Sequence, residues 1–344
     1  MYFIIHPNLS LCILFDFSSD YDIIVRKGLI NLKKYLLPEN INNYKANLHC
    51  HSTFSDGKLT PEQLKKKYME QGYSIIAFSD HDRFHTHNEL TDENFLALNS
   101  YEADISENSE PDSHIRRCYH LCCFAKTDGE DYKEIEPRPD YNDKDAINAF
   151  IKALNEKGFL VQYNHPNWSL QTAEDLRGIK GLWGTEIFNF SATIDGIDGN
   201  QGFMYDILLR DGNRIFCTAT DDNHNAYPFD HEQNDSFGGY IVIRADRLDY
   251  PTIINALENG DFYSSSGPEI KELYIEDNKV KISCSPARHI RFTTDGRTAK
   301  SVNAVGDEFI EYGEFELNGK CAYVRVQVTG TDGTLAHSNA YWLK

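Results

Sequence analysis

Four apolar runs of this chain each lead into a short polar string that contains histidine, and this repeated arrangement constrains its fold most. The strings occupy residues 47–51, 79–82, 164–166 and 221–224. On a strand, successive side chains point to opposite faces, so His49 and His51 point the same way and can bind one ion. Leu48 and Cys50 then face the packing surface. The four strings together indicate one polynuclear metal site.

Helices are predicted between these runs. Before the second run, Thr60 is a predicted N-cap, Pro61 occupies the first helical position and Gln63 completes a capping box. Two further helices are predicted near residues 143–158 and 203–211. Apolar runs that follow helices favour parallel strands buried on both faces, and α/β barrels keep their active sites at the C-terminal tips of such strands. The sequence therefore predicts an α/β barrel with the polar strings at one end.

Changes in the pattern of apolar and turn residues divide the chain into three predicted parts. Alternating apolar residues at positions 9–17 predict a strand within an N-terminal extension, residues 1–44. The barrel is assigned to residues 45–268. Short alternating segments separated by turn signals follow, and they predict a small all-β, sandwich-like module over residues 269–344.

Composition excludes several classes of partner. The 34 Lys and Arg against 53 Asp and Glu give a net charge of -19, which opposes binding to nucleic-acid backbones or anionic membranes. The eight cysteines form no Cys-x-x-Cys pair, and several lie in apolar runs, as reduced buried thiols do. No apolar run approaches the length of about 18 residues that a membrane span requires. A cytoplasmic protein is predicted.

The histidine strings resemble the motifs of the PHP (polymerase and histidinol phosphatase) family of metal-dependent phosphoesterases. The four matching motifs are residues 47–52, 79–81, 164–166 and 222–224. The resemblance covers about residues 45–268, and it implies a distorted (β/α)7-type barrel that binds two to three divalent metal ions.

The resemblance also implies nine metal ligands, carried over position by position. The first ion would be bound by His49, His51, Glu102 and Asp222. The second ion would share the bridging Glu102 and would be bound in addition by His120 and His165. The third ion would be bound by Asp56, His81 and His224.

Further roles are predicted around these ligands. We predict catalytic roles for Asp56, His81, Glu102 and His224. Arg83 is expected to bind the substrate phosphate through its fork of donors, with a surface ion pair as the alternative. Asp80 and Asp221 are expected to orient neighbouring ligands or to cap strand ends. Glu186 ends another apolar run and fits a polar pocket wall, with no ligand role.

Two other segments bear on the substrate. Where many relatives have Gly-Arg after the third-motif His-Pro, this chain has Asn167 and Trp168, so an arginine expected to help hold phosphate is missing. The string at residues 333–343 is similar to the tail of a PHP subgroup that includes carbamate-pesticide hydrolases.

The predicted ligands suit particular ions and one reaction. Imidazole with a few carboxylates suits Zn, Mn or Fe, and Asp56 favours Mn or Mg at the third position. Divalent ions close together can turn water into hydroxide near neutral pH and bind the attacking and leaving oxygens. Three such ions outweigh three ligand carboxylates, so the pocket should attract an anionic substrate.

We therefore predict hydrolysis of a phosphate monoester or diester of a small metabolite or nucleotide by a metal-bound hydroxide. The substrate is thus a small anionic phosphorylated compound, with neither a nucleic-acid scaffold nor a membrane as partner. Two alternatives stay open. The same metal site could hydrolyse a carbamate or an amide, or the domain could be a structural module without catalysis. The sequence does not determine the oligomeric state.

Overall fold

A computed structural model describes residues 21–26, 29–39, 41–108 and 115–344. The strand predicted from the alternation at residues 9–17 lies outside these residues. The first described elements are β1 (Tyr21–Arg26) and β2 (Leu29–Tyr35), which pair as an antiparallel hairpin. None of the described helices is long and apolar enough to cross a membrane.

Seven strands carry the predicted site. They are β3 (Asn42–Cys50), β4 (Tyr73–Phe78), β5 (Leu96–Ser106), β6 (Cys118–Ala125), β7 (Phe159–Tyr163), β8 (Gly184–Asn189) and β9 (Phe216–Thr220). They pair in chain order, and the β3–β4, β4–β5, β7–β8 and β8–β9 pairs are parallel. The β5–β6 and β6–β7 pairs are antiparallel. The mixed α/β class is therefore confirmed, but the expected run of parallel strands is interrupted at β6.

The antiparallel pairing of β5 with β6 has a simple physical cause. No helix lies between β5 and β6 among the described residues, and a parallel neighbour would require a long crossover connection. The chain instead returns directly, and Glu102 in β5 pairs with Cys122 in β6. Both strands run past the level at which the other strands end, which brings His120 of β6 to the same region as the strand tips.

The helices connect and cover these strands. They are α1 (Pro61–Glu70), α2 (Lys144–Glu156), α3 (Ala173–Leu176), α4 (Phe190–Ile194), α5 (Gly202–Arg210) and α6 (Tyr250–Asn259), with a 3-10 turn at Asn88–Leu90. The predicted capping box of α1 is confirmed, because Gln63 N donates to Thr60 Oγ1 and Thr60 N donates to Gln63 Oε1. The other two helices predicted from the sequence correspond to α2 and α5.

The C-terminal part is antiparallel. Two strands, β10 (Tyr240–Ala245) and β11 (Phe262–Ser265), come before the predicted boundary at residue 268. The strands of the C-terminal part are β12 (Ile270–Glu276), β13 (Lys279–Thr294), β14 (Lys300–Asn303), β15 (Ile310–Glu316), β16 (Tyr323–Gly330), β17 (Leu335–Ser338) and β18 (Tyr341–Trp342). The long β13 pairs with β12, β14, β15 and β16. Its inward residues, such as Ile282 and Ile290, are fully buried. This antiparallel pairing agrees with the predicted β module, whereas the boundary of the module stays a prediction.

The end of the chain is held against the strand that leads to Asp222. Asn339 is buried; its Oδ1 accepts a hydrogen bond from Cys217 N at 3.0 Å, and its Nδ2 donates to the carbonyls of Gly260 and Phe262, each at 3.0 Å. One side chain therefore satisfies three backbone groups of β9, β11 and the turn before β11.

Replacing Asn339 with Ala is expected to lower the free energy of unfolding by about 2–4 kcal/mol, because a buried N–H and two carbonyls lose their partner. Thermal unfolding measures the change. The control is Thr331→Ala on the exposed surface of the same region, which should cost about 0.5 kcal/mol or less. Equal losses from the two substitutions would show that the Asn339 contacts do not hold the C-terminal segment against β9 and β11.

Candidate metal centre

The nine predicted ligands converge on one side of the sheet. Four overlapping groups have ligand atoms within 4.8 Å of one another. They are His51, Asp56, His81 and His224; His49, Glu102 and His165; His49, His51 and Asp222; and His81, Glu102 and His120. The structure therefore brings all nine side chains together, while their roles as ligands stay a prediction.

The first predicted position is compact. His49 Nε2 lies 3.1 Å from His51 Nε2, 3.2 Å from Glu102 Oε1 and 3.1 Å from Asp222 Oδ1. His51 Nε2 lies 3.0 Å from the same Asp222 oxygen. Ligands at 2.0–2.1 Å from a tetrahedral ion are separated by about 3.3 Å. The donor atoms of His49, His51 and Asp222 thus have the spacing that one such ion requires, and Glu102 Oε1 lies beside His49.

The second predicted position is built around Glu102 Oε1. This oxygen lies 3.2 Å from His120 Nδ1 and 3.4 Å from His165 Nε2. Since it also faces His49, Glu102 can bridge the first two positions. The other ring nitrogen of His120 lies 3.5 Å from Asp104 Oδ1, a contact that can orient the ring as carboxylates do for metal-binding histidines.

The third predicted position is looser and more open. Asp56 Oδ2 lies 3.8 Å from His81 Nε2, and Asp56 Oδ1 lies 3.5 Å from His224 Nε2. The Asp56 side chain is 55% exposed. His81 Nδ1 lies 3.0 Å from Glu102 Oε2, so Glu102 contacts residues of all three predicted positions.

Backbone strain accompanies two of the strand tips. His165 has φ 24° and Asp222 has φ 55°, a left-handed conformation that costs about 1–3 kcal/mol in a residue other than glycine. Asp222 N donates to His49 O at 3.0 Å, which fixes the segment after β9 beside β3. An isolated bridge between Cys50 and Asn223 lies next to it. The strained tip is therefore held by the strand that carries His49.

Unmatched polar atoms test whether the site fits metal ions. His51 Nδ1, His120 Nδ1 and Glu102 Oε2 are buried, and none of them forms a hydrogen bond of normal geometry to another described residue, although His120 Nδ1 and Glu102 Oε2 face other predicted ligands at 3.2 Å and 3.0 Å. Burying such groups without a partner costs free energy. Divalent ions would satisfy them, and the set of imidazoles and carboxylates is one that Zn, Mn and Fe accept. The donor set fits the implied ions.

Electrostatics place His51 and the three ligand carboxylates in the form that binds metal, whereas the pKa values of His49, His81 and His120 are raised. Burial, together with the neighbouring His224, lowers the pKa of His51 to about 4, so this ring is neutral near pH 7. Burial opposes the charge of Glu102, but His49 and His120 hold the pKa of Glu102 well below its usual range. Burial would also lower the pKa of His49, yet Asp222 and other acidic neighbours raise it. An ion must therefore displace a proton at His49.

Glu186 is the functional side chain that the sequence analysis missed. Its Oε1 accepts hydrogen bonds from His49 Nδ1 at 2.7 Å and Thr220 Oγ1 at 2.6 Å. Its Oε2 accepts from His165 N at 2.8 Å and Asn189 Nδ2 at 2.9 Å. Glu186 thus orients His49 from behind and holds the tip that carries His165. Its place at the end of an apolar run was the one available signal.

Asp80 and Asp221 act on the loops around the ligands. Asp80 accepts hydrogen bonds from Ser52 N and Ser55 Oγ, each at 2.8 Å, and so shapes the loop that carries Asp56. In that loop Gly57 is required, because a Cβ there would lie 2.5 Å from His51 O. Asp221 accepts from the backbone N–H groups of residues 237–239 at 2.8–2.9 Å. Both carboxylates orient loops rather than single ligand rings.

A cavity of about 310 Å³ opens onto these groups. Its wall includes seven of the predicted ligands and, beside them, Trp168, Asp195 and Asp235. Arg83 is exposed and is not one of the described residues that line this cavity. Its role in substrate binding stays a prediction that no contact supports.

Two solved structures share part of this architecture. One is a two-domain protein from Bacteroides vulgatus that contains a predicted PHP-like metal-dependent phosphoesterase, with a TM-score of 0.44 and 15% identity over 89% of this chain and 98% of that chain. The other, from Bifidobacterium adolescentis, is a proposed metal-dependent phosphoesterase, with a TM-score of 0.36 and 18% identity over 55% of this chain and 91% of that chain. Both TM-scores lie below 0.5, so neither likeness bears on function.

A sequence relative matches one short segment. The 5'-3' exoribonuclease of Haemophilus influenzae is 50% identical over 38 residues, which is 11% of this chain. The match spans only 14% of the length of that relative.

The family model of the PHP domain matches residues 47–187. All predicted ligands except Asp222 and His224 lie within this segment, and Glu186 lies near its end. The match agrees with the geometry of the strand tips, and the segment at residues 47–187 is therefore similar to the PHP domain family.

Proposed function

We propose that this chain is a metal-dependent phosphoesterase that hydrolyses a phosphate monoester or diester of a small metabolite or nucleotide. One observation carries the proposal. Four buried histidine rings and the buried Glu102 face the partly exposed His81, Asp222 and His224 and the more open Asp56, and several of their polar atoms form no hydrogen bond outside the group. The intact set argues against a purely structural module.

The nine predicted ligands would bind up to three ions. His49, His51 and Asp222 would hold one ion, and Glu102 would share it with a second ion beside His120 and His165. Asp56, His81 and His224 would hold a third ion at the open side of the cavity. When bound, divalent ions supply an activated water and neutralise charge on the phosphoryl oxygens. No serine or cysteine nucleophile is required.

Charge limits the substrate more than the sequence suggested. Asp195 and Asp235 line the cavity in addition to the ligand carboxylates Asp56, Glu102 and Asp222. Three divalent ions would outweigh these five carboxylates by about one positive charge. A substrate with a single phosphate group is favoured over one with several.

The fold supports the same proposal. We propose that β3 to β9 form the distorted barrel and that the parts divide near residues 44 and 268. Pairing in chain order and the bridge between Cys50 and Asn223 support this closure. The tail that resembles the carbamate-hydrolase subgroup contacts β9 through Asn339 rather than lining the cavity, so it does not favour carbamate hydrolysis.

Elemental analysis after reconstitution with Mn or Zn is expected to give two to three equivalents of metal. The same sample should hydrolyse 4-nitrophenyl phosphate or its diester faster than 4-nitrophenyl carbamate, because the site stabilises extra negative charge in the transition state. His81→Ala controls for contaminating enzymes. Less than one equivalent of metal would contradict the proposal, and a dominant carbamate rate that His81→Ala abolishes would replace it.

A further inference from the structure

Trp168 borders the space that a substrate must occupy. Its ring centroid lies 5.0 Å from that of His165 and 5.9 Å from that of His120. The residue lines the same cavity as both histidines, yet 39% of its surface is exposed. An indole ring beside the predicted second ion therefore presents apolar surface to the substrate.

The rest of that wall lacks cations. None of the described residues that line the cavity is Lys or Arg. Asp195 is exposed, lines the cavity and accepts a hydrogen bond from Trp168 Nε1 at 3.4 Å. A second phosphate or a carboxylate on the leaving group would meet this carboxylate and be repelled. A flat uncharged group meets the indole face, and its N–H donors can reach Asp195.

We propose that Trp168 determines specificity by stacking on a planar aromatic leaving group of the phosphate ester, while Asp195 accepts a hydrogen bond from an N–H of that group. This inference rests on the proposed phosphoesterase function. The substrate class is a phosphate ester of a nitrogen-bearing aromatic ring. Stacking of an aromatic ring on a protein side chain is strong enough to change affinity by about tenfold.

Trp168 could instead only pack against His165 and His120. Loss of packing would then weaken the binding of all phosphonates to the metal site alike. Loss of stacking would weaken the binding of aromatic phosphonates alone. Trp168→Leu separates the two effects, because leucine keeps an apolar contact but has no ring.

The test measures binding rather than turnover, by calorimetry on the metal-loaded full chain. The wild-type protein should bind phenylphosphonate about tenfold more tightly than methylphosphonate. Trp168→Leu and Trp168→Ala should remove that preference and leave methylphosphonate binding unchanged, and Trp168→Phe should restore most of it. Asp195→Asn should weaken 4-aminophenylphosphonate more than phenylphosphonate. Metal content is measured for every variant.

Three results overturn the inference, and they have different meanings. If Trp168→Leu weakens both phosphonates equally, Trp168 acts by packing on the histidines and the specificity role is wrong. If the metal-loaded wild-type protein binds neither phosphonate, the proposed phosphoesterase function fails together with the inference. If the wild-type protein binds both phosphonates equally well, only the stacking inference fails.

Discussion

Replacing Glu102 with Gln should reduce bound metal to one equivalent or less and lower kcat/KM by at least about 10³-fold. The physical reason is that Glu102 Oε1 lies 3.2 Å from His49 Nε2, 3.2 Å from His120 Nδ1 and 3.4 Å from His165 Nε2. A neutral amide cannot replace the charge that links these rings. Metal ions stabilise the transition-state charge by several kcal/mol, which corresponds to this loss of rate.

Elemental analysis and steady-state kinetics measure both effects on the same preparation. Glu107→Gln is the matched control, because Glu107 forms an ion pair with Arg117 at 2.7 Å and belongs to none of the four ligand groups. Its metal content and activity should equal those of the wild-type protein. Full metal content and activity in Glu102→Gln would show that the site is not organised around Glu102.

Local sequence patterns were sufficient for much of the site. The alternation of side chains on a strand placed His49 and His51 on one face, and the capping residues Thr60 and Gln63 marked the start of α1. The resemblance to the PHP family supplied Glu102 and His120, whose local strings are short. Such features depend on neighbours in sequence, so they can be read without the fold.

Other features depend on contacts between distant segments. The return from β5 to β6 reverses the expected parallel order, and periodicity alone does not give the direction of a buried strand. Asn339 contacts Cys217 across 122 positions of the chain, and no local pattern marks that pairing. Glu186 lacked a neighbouring histidine in the sequence, so its role emerged only from the fold, in which β8 lies between β7 and β9 and the Glu186 side chain reaches His49 of β3.

Replacing Glu186 with Gln should lower metal affinity and activity by about 10–100-fold, as loss of a carboxylate behind a metal-binding histidine does. The carboxylate accepts from His49 Nδ1 at 2.7 Å and from His165 N at 2.8 Å. Glutamine keeps the shape of the side chain but loses its charge, and the amide nitrogen cannot accept a hydrogen bond. His49 then loses both the orientation of its ring and the added basicity of Nε2.

The comparison with Thr220→Val makes this test specific to the carboxylate. Thr220 Oγ1 donates to Glu186 Oε1 at 2.6 Å, so valine removes one hydrogen bond, worth about 1 kcal/mol, and leaves the charge in place. Chelator competition should therefore rank the affinities as wild type, then Thr220→Val, then Glu186→Gln. An affinity of Glu186→Gln equal to that of the wild-type protein would mean that His49 is held by its packing alone. In that case the carboxylate serves only the tip that carries His165.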